Sequence, residues 1–189
     1  MRRTTIRIAL PLATASLLLT GVGLAAPSSA NMPSTAEGAL TRYTSVPEVL
    51  PVGAWARVRA IETGSGKTVV TLQARGFTAN ETYGAHAHYK PCGATGGAAG
   101  AHYQNVEERP GNEVTASTDP AYANPDNEVW LDFTTDSEGN GSAQTVVDWQ
   151  FRPSASGRSV VIHANHTSHG GTPPAGNAGA RLGCLSVPF

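Results

Sequence analysis

Short runs in which apolar and polar residues alternate, interrupted by turns rich in glycine, asparagine and aspartate, restrict this chain to an all-strand architecture. From Ala54 to Ile61 short apolar and polar side chains alternate, Gly64-Ser65-Gly66 supplies a turn, and Thr68 to Ala74 alternates again with Val70, Leu72 and Ala74 on one face. Strand side chains repeat every second residue, so this pattern predicts a hairpin with one buried face. Glu128 to Thr134 places Val129, Leu131 and Phe133 on one side, Asp136 to Gly141 turns the chain, and Ala143, Thr145, Val147 and Trp149 resume the alternation. This predicts a second hairpin. Arg158 to Ala164 and Arg181 to Pro188 read as further short strands. Nothing after residue 30 sustains a helical period over three turns, and 21 glycines with 13 prolines would punctuate helices badly. The expected class is all-β, an antiparallel sandwich or barrel.

Residues 1–30 begin with Arg2, Arg3 and Arg7, continue through an apolar stretch from Ile8 to Ala26, and end in the small residues Ser28-Ser29-Ala30. That pattern predicts an export signal cleaved after Ala30, a secreted or extracytoplasmic location, and no membrane span once the signal is removed. Pro11 and the missing stop-transfer flank argue against a membrane anchor. Residues 31–50, rich in Ser, Thr, Pro and Glu, are expected to form a mobile N-terminal extension, with the folded domain at 51–189. Two cysteines, Cys92 and Cys184, are expected to close one disulfide in an oxidising compartment. The chain carries 13 basic and 14 acidic residues, three of the former within the signal, so the remainder is acidic. It has no basic patch with which to hold nucleic acid or anionic lipid.

Chemistry is concentrated in six histidines, His86, His88, His102, His163, His166 and His169. His86 and His88 are separated by one small residue on an expected strand, so both rings leave the same face. Alone, such a pair is as compatible with a surface position as with a metal role. His102 follows the small-residue loop Gly96 to Ala101, and His163 ends the run Val160-Val161-Ile162. As a set, His86, His88, His102 and His163 offer imidazole donors of the kind that Cu(II) prefers. His166 and His169 lie in a polar loop and are expected to be exposed.

Four segments stand in order along the chain: Gly84-Ala85-His86-Ala87-His88 with Cys92 shortly after, Ala99-Gly100-Ala101-His102-Tyr103, Gly157-Arg158-Ser159-Val160-Val161-Ile162-His163-Ala164, and Gly176-Asn177-Ala178-Gly179-Ala180-Arg181-Leu182-Gly183-Cys184. Together they resemble the copper,zinc superoxide dismutase family. The resemblance implies an immunoglobulin-like Greek-key β-barrel and one copper ion per chain, held by His86, His88, His102 and His163. It also implies an intrasubunit disulfide between Cys92 and Cys184, and a catalytic Arg181 beside the copper. The implied activity converts the small anion superoxide to dioxygen and hydrogen peroxide by Cu(II)/Cu(I) cycling, with His102 taking up a proton on reduction.

The chain also departs from the family pattern. Zinc-containing members follow the residue matched by His102 with two further histidines and an aspartate, whereas no histidine occurs here between Tyr103 and Ile162. A standard zinc site is therefore expected to be absent, as in the copper-only branch. Asp119, Asp126 and Asp132 are expected to cap turns or face solvent. Some other group must orient the free nitrogen of His102, and a nearby carboxylate, with Glu113 and Glu128 as candidates, is expected to compensate for the missing zinc in the proton uptake. The loop from Ala164 to Ala178 contains no charged residue, which predicts weak long-range steering of an anion and an open copper site. Trp55, Trp130 and Trp149 are expected to serve in packing or on a sheet surface. Two readings follow: an exported copper-dependent superoxide dismutase, or a copper-binding module on the same fold with little or no turnover.

Overall fold

A computed structural model describes residues 33–46, 48–109, 116–152 and 158–189. The expected signal at 1–30 and Glu113 lie outside the described residues. Among the described residues nine strands follow one another: β1 (Ser34–Ala39), β2 (Thr41–Arg42), β3 (Trp55–Glu62), β4 (Thr68–Arg75), β5 (Thr82–His88), β6 (Phe133–Thr134), β7 (Gly141–Val147), β8 (Ser159–His163) and β9 (Arg181–Ser186). They form two antiparallel sheets, one ordered β1-β3-β4-β7 and the other β2-β9-β8-β5-β6. The fold is thus all-β, a Greek-key sandwich.

The β3–β4 hairpin follows its sequence pattern closely. Ala56, Val58 and Ala60 of β3 face the core beside Val70, Leu72 and Ala74 of β4, while Arg57, Arg59, Gln73 and Arg75 point to solvent. The opposite sheet contributes Tyr83, Ala85 and Ala87 from β5 and Val160 and Ile162 from β8 to the same core. Unlike β3 and β4, strands β5 and β8 are buried on both faces. Their second face is covered by loops, and that covered face carries the histidines. Such double burial explains why β8 reads as a continuous apolar run rather than an alternation.

Two expectations need correction. Residues 34–42 are not an extension outside the domain: β1 pairs with β3 from Ser34↔Ala60 to Ala39↔Trp55, and β2 pairs with β9. Leu40 and Leu50 are buried in the core. The pairing of β1 is made by backbone groups at the free edge of β3, which require no apolar period in the added strand. The second expected hairpin is also divided. β6 pairs with β5, whereas β7 pairs with β4, so the turn between Asp136 and Gly141 carries the chain from one sheet to the other. Of the stretch 128–134 only Phe133 and Thr134 form a strand; Glu128 and Trp130 make single bridges to Gln104 and His86. Alternation indicates which face of a segment is buried but does not select its hydrogen-bonding partner.

Cys92 and Cys184 form a disulfide with a sequence separation of 92. Cys184 lies on β9 and packs with Ala99 and Val161, so the bond ties the loop preceding His102 to the sheet beneath it. Replacing both cysteines with serine is expected to lower the unfolding free energy by roughly 2–5 kcal/mol through loss of the loop constraint in the unfolded chain. Urea melts of the metal-free protein, compared with the wild type, measure the loss.

Candidate metal centre

Three of the four histidines are placed by the pairing of two central strands. His86 and His88 leave the loop-covered face of β5, and His163 leaves the same face of β8, where register pairs Gly84 with His163 and His86 with Val161. His102 arrives from the loop: Tyr103 N–H donates to Ala87 O at 2.8 Å, and His102 bridges to His88. One ligating atom from each of the four residues lies within 4.8 Å of the others. Among the described residues this is the one group of three or more such donors.

In each ring, one nitrogen is engaged by the protein. His86 Nε2 lies 2.6 Å from Thr167 Oγ1, His88 Nδ1 3.0 Å from Gly100 O, His102 Nδ1 2.8 Å from Glu128 Oε2, and His163 Nδ1 3.4 Å from Gly179 O. Of the second nitrogens, His88 Nε2 and His163 Nε2 are 3.4 Å apart, and His86 Nδ1 is buried with no hydrogen-bond partner among the described residues. Buried polar atoms are ordinarily paired, so an orphaned ring nitrogen beside three other imidazoles fits a metal ion.

Burial, reinforced by the charge that His102 would carry, pushes His86 and His88 well below 6.5 and His163 down to about 3. Arg181 adds to the depression in all three. The rings are therefore neutral at ordinary pH and present lone pairs. That is the state a metal requires.

Arg181 sits opposite His163 at an irregularity in the β8–β9 pairing, and its Nη1 donates to Gly96 O at 2.7 Å. Gly96 must lack a side chain there, because a Cβ would lie 2.9 Å from Arg181 Cβ. The guanidinium is half-buried, and burial lowers its pKa below the ordinary arginine value.

Two residues bounding the centre, Trp130 and Asp132, were assigned otherwise from sequence, and a third was one of two candidates. Glu128, one of two candidates, is the partner of His102; its carboxylate also accepts from Gln104 Nε2 at 3.0 Å and Trp130 Nε1 at 2.8 Å. Trp130 meets the His86 ring edge-on at 5.9 Å, so it is a wall of the centre as well as a packing residue. Asp132 does not face solvent. It accepts from Ala85 N, Thr167 N and Thr167 Oγ1 and lies 3.2 Å from His166 Nδ1. Glu128, Trp130 and Asp132 occupy alternate positions on the face opposite Val129, Leu131 and Phe133, and that alternation was the available signal. By contrast, Asp119 does cap a turn, accepting from Ala121 N. Trp149 packs in the core, and Trp55 lies beneath Arg75 on the outer sheet face. His166 and His169 are exposed, as expected.

The centre is less open than the uncharged loop suggested. His86 and His88 are fully buried, and the His102 side chain is 12% exposed. Without charges to hydrate, the loop packs down, burying Thr167, Ala175 and Ala178.

Residues 54–187 match the family described as copper/zinc superoxide dismutase (SODC). The chain belongs to the copper/zinc superoxide dismutase family. Among solved structures it is similar to the clock protein EA4, with a TM-score of 0.55, 18% identity, and coverage of 87% of this chain and 98% of that one. It is also similar to the Cu/Zn superoxide dismutase from Brucella abortus, with a TM-score of 0.50, 19% identity, and coverage of 81% and 98%. At these identities the likeness concerns the fold. No curated protein matches the sequence significantly.

Protonation should set the stability of this superoxide dismutase-family protein when it holds no metal. Below about pH 6.5 the unfolded chain takes up protons on His86, His88 and His163 that the folded chain does not, so stability is retained above that pH and lost as pH falls. For His163 the loss continues down to a pH of about 3. Its slope approaches about 1.4 kcal/mol per pH unit for each imidazole. Urea midpoints of the metal-free protein between pH 7.5 and 4.5 check this; a flat profile would contradict it.

Proposed function

We propose that this protein is an exported, copper-dependent superoxide dismutase that works without a zinc site. The observation that carries the reading is the convergence of four imidazoles, each with one nitrogen engaged by the surrounding protein and with His86 Nδ1 left without a partner among the described residues, beside a half-buried arginine that stands opposite His163. His86 would hold copper through Nδ1, and His88, His102 and His163 through Nε2. Bound there, copper would supply one-electron redox chemistry, taking an electron from one superoxide and giving it to the next.

Arg181 lies close enough for its positive charge to lower the pKa of His86, His88 and His163, and a guanidinium can attract and orient a small anion without a shaped organic pocket. Its bond to Gly96 O holds the side chain in place. Between Ala164 and Ala178 no charge assists or opposes it, so substrate attraction depends on local charge. At His102, Nδ1–H donates to Glu128, leaving Nε2 as the atom able to take up and deliver a proton. Three donors satisfy the buried Glu128 carboxylate, so it can hold the ring in one tautomer. In zinc-containing relatives the residue matched by His102 bridges two metals; the Glu128 contact supports a copper-only site instead. The Cys92–Cys184 disulfide is in keeping with export to an oxidising compartment.

The enclosure of the rings favours a second reading, a copper-binding module that turns over slowly. Reconstitution with copper alone decides between the two. We expect one copper per chain with no stoichiometric requirement for zinc, and superoxide decay, followed by pulse radiolysis, faster than in free-copper controls. A rate equal to the controls leaves the module. Arg181→Ala is expected to lower the rate roughly tenfold, the scale of one charge-assisted contact, with copper content unchanged. An unchanged rate removes the role assigned to Arg181.

A further inference from the structure

Thr167 is buried, lies four residues beyond His163, and places its hydroxyl 2.6 Å from His86 Nε2. The same hydroxyl donates to Asp132 Oδ1 at 2.7 Å, and the Thr167 backbone N–H donates to Asp132 Oδ2 at 2.7 Å. Asp132 Oδ1 also accepts from Ala85 N at 3.1 Å, and Oδ2 lies 3.2 Å from His166 Nδ1. Gly84 makes room for this arrangement. A Cβ at that position would lie 2.6 Å from Asn165 O and 3.1 Å from Thr167 Oγ1, preventing the loop from closing over β5.

Donor and acceptor accounting then leaves one assignment. A threonine hydroxyl has a single proton, and a carboxylate has none to offer. With its proton directed to Asp132, Thr167 Oγ1 can only accept from His86, so Nε2 must carry the ring hydrogen. The opposite edge of the ring leads to the same result independently. Among the described residues His86 Nδ1 is buried without a partner, and a hydrogen there would be a buried donor with nothing to receive it.

We propose that Thr167, clamped by Asp132, is a positioning residue that locks His86 in the Nε2–H tautomer and so directs the Nδ1 lone pair into the metal centre. The uncharged loop after β8 thus contributes a hydroxyl, and the carboxylate that polarises it comes from the segment preceding β6. The inference rests on reading the four histidines as a copper site, but the tautomer belongs to the metal-free protein and can be measured there.

Nitrogen-15 NMR of the metal-free protein, using long-range correlations within the imidazole rings, reports which nitrogen of His86 is protonated. In the wild type we expect the hydrogen on Nε2 alone. Thr167→Val keeps the shape and removes the hydroxyl; it should give a mixture of tautomers at His86 and weaken copper binding roughly 10- to 100-fold in a chelator competition. Thr167→Ser should restore both the tautomer and the affinity. Unchanged tautomer or affinity in Thr167→Val, or failure of serine to restore them, would overturn the proposal. If Thr167→Val does not fold, the wild-type spectrum still decides, because a hydrogen on His86 Nδ1 refutes the lock. Loss of dismutase activity with the expected tautomers intact would count against the enzymatic reading alone.

Discussion

Packing four imidazoles within a few ångströms of one another is tolerable only if the buried rings stay neutral and each ring has somewhere to place its hydrogen. This chain meets that condition ring by ring: a threonine hydroxyl for His86, backbone carbonyls for His88 and His163, and a carboxylate for His102. Burial keeps His86, His88 and His163 neutral, and the outward bonds leave their inward nitrogens unprotonated. Much of the surrounding architecture follows from this requirement. The loops must cover one face of the five-stranded sheet, the segment from Glu128 to Asp132 must run beside β5, and the disulfide must hold the covering loop against β9.

The two carboxylates of the centre act on different rings of it. Glu128 bonds directly to a ring, while Asp132 acts through the hydroxyl of Thr167. Both come from one short segment whose other face, Val129 and Leu131, enters the core. A single extended stretch therefore couples core packing to the orientation of two histidines. That coupling makes the geometry of the centre depend on the core beneath it rather than on loop conformation alone.

Much of this was legible in the residues. The β3–β4 hairpin declared itself through strict alternation, since one of its faces is wet and the other dry. His86 and His88 were assignable to one face because a strand repeats every two residues. Other features were not legible, for identifiable reasons. β1 pairs through its backbone and needs no apolar signature. The stretch 128–134 alternates as a strand should, but the partner its backbone chooses depends on the position of β5. Trp130 and Asp132 were read by residue type, without regard to the face they share with Glu128.

By itself, the sequence determined the all-strand class, the family, the disulfide pair and the four histidines, because these depend on residue type, order and local period. Tertiary structure alone decided which nitrogen of each ring is free, that Glu128 meets His102, and that Thr167 and Asp132 stand behind His86. Those contacts join residues far apart in the chain, with Thr167 81 residues from His86 and 35 from Asp132. No local pattern encodes such a distance. It is set by the register of β5 against β8 and by the loops that close over them, and a hydrogen bond exists only once that packing has brought donor and acceptor together.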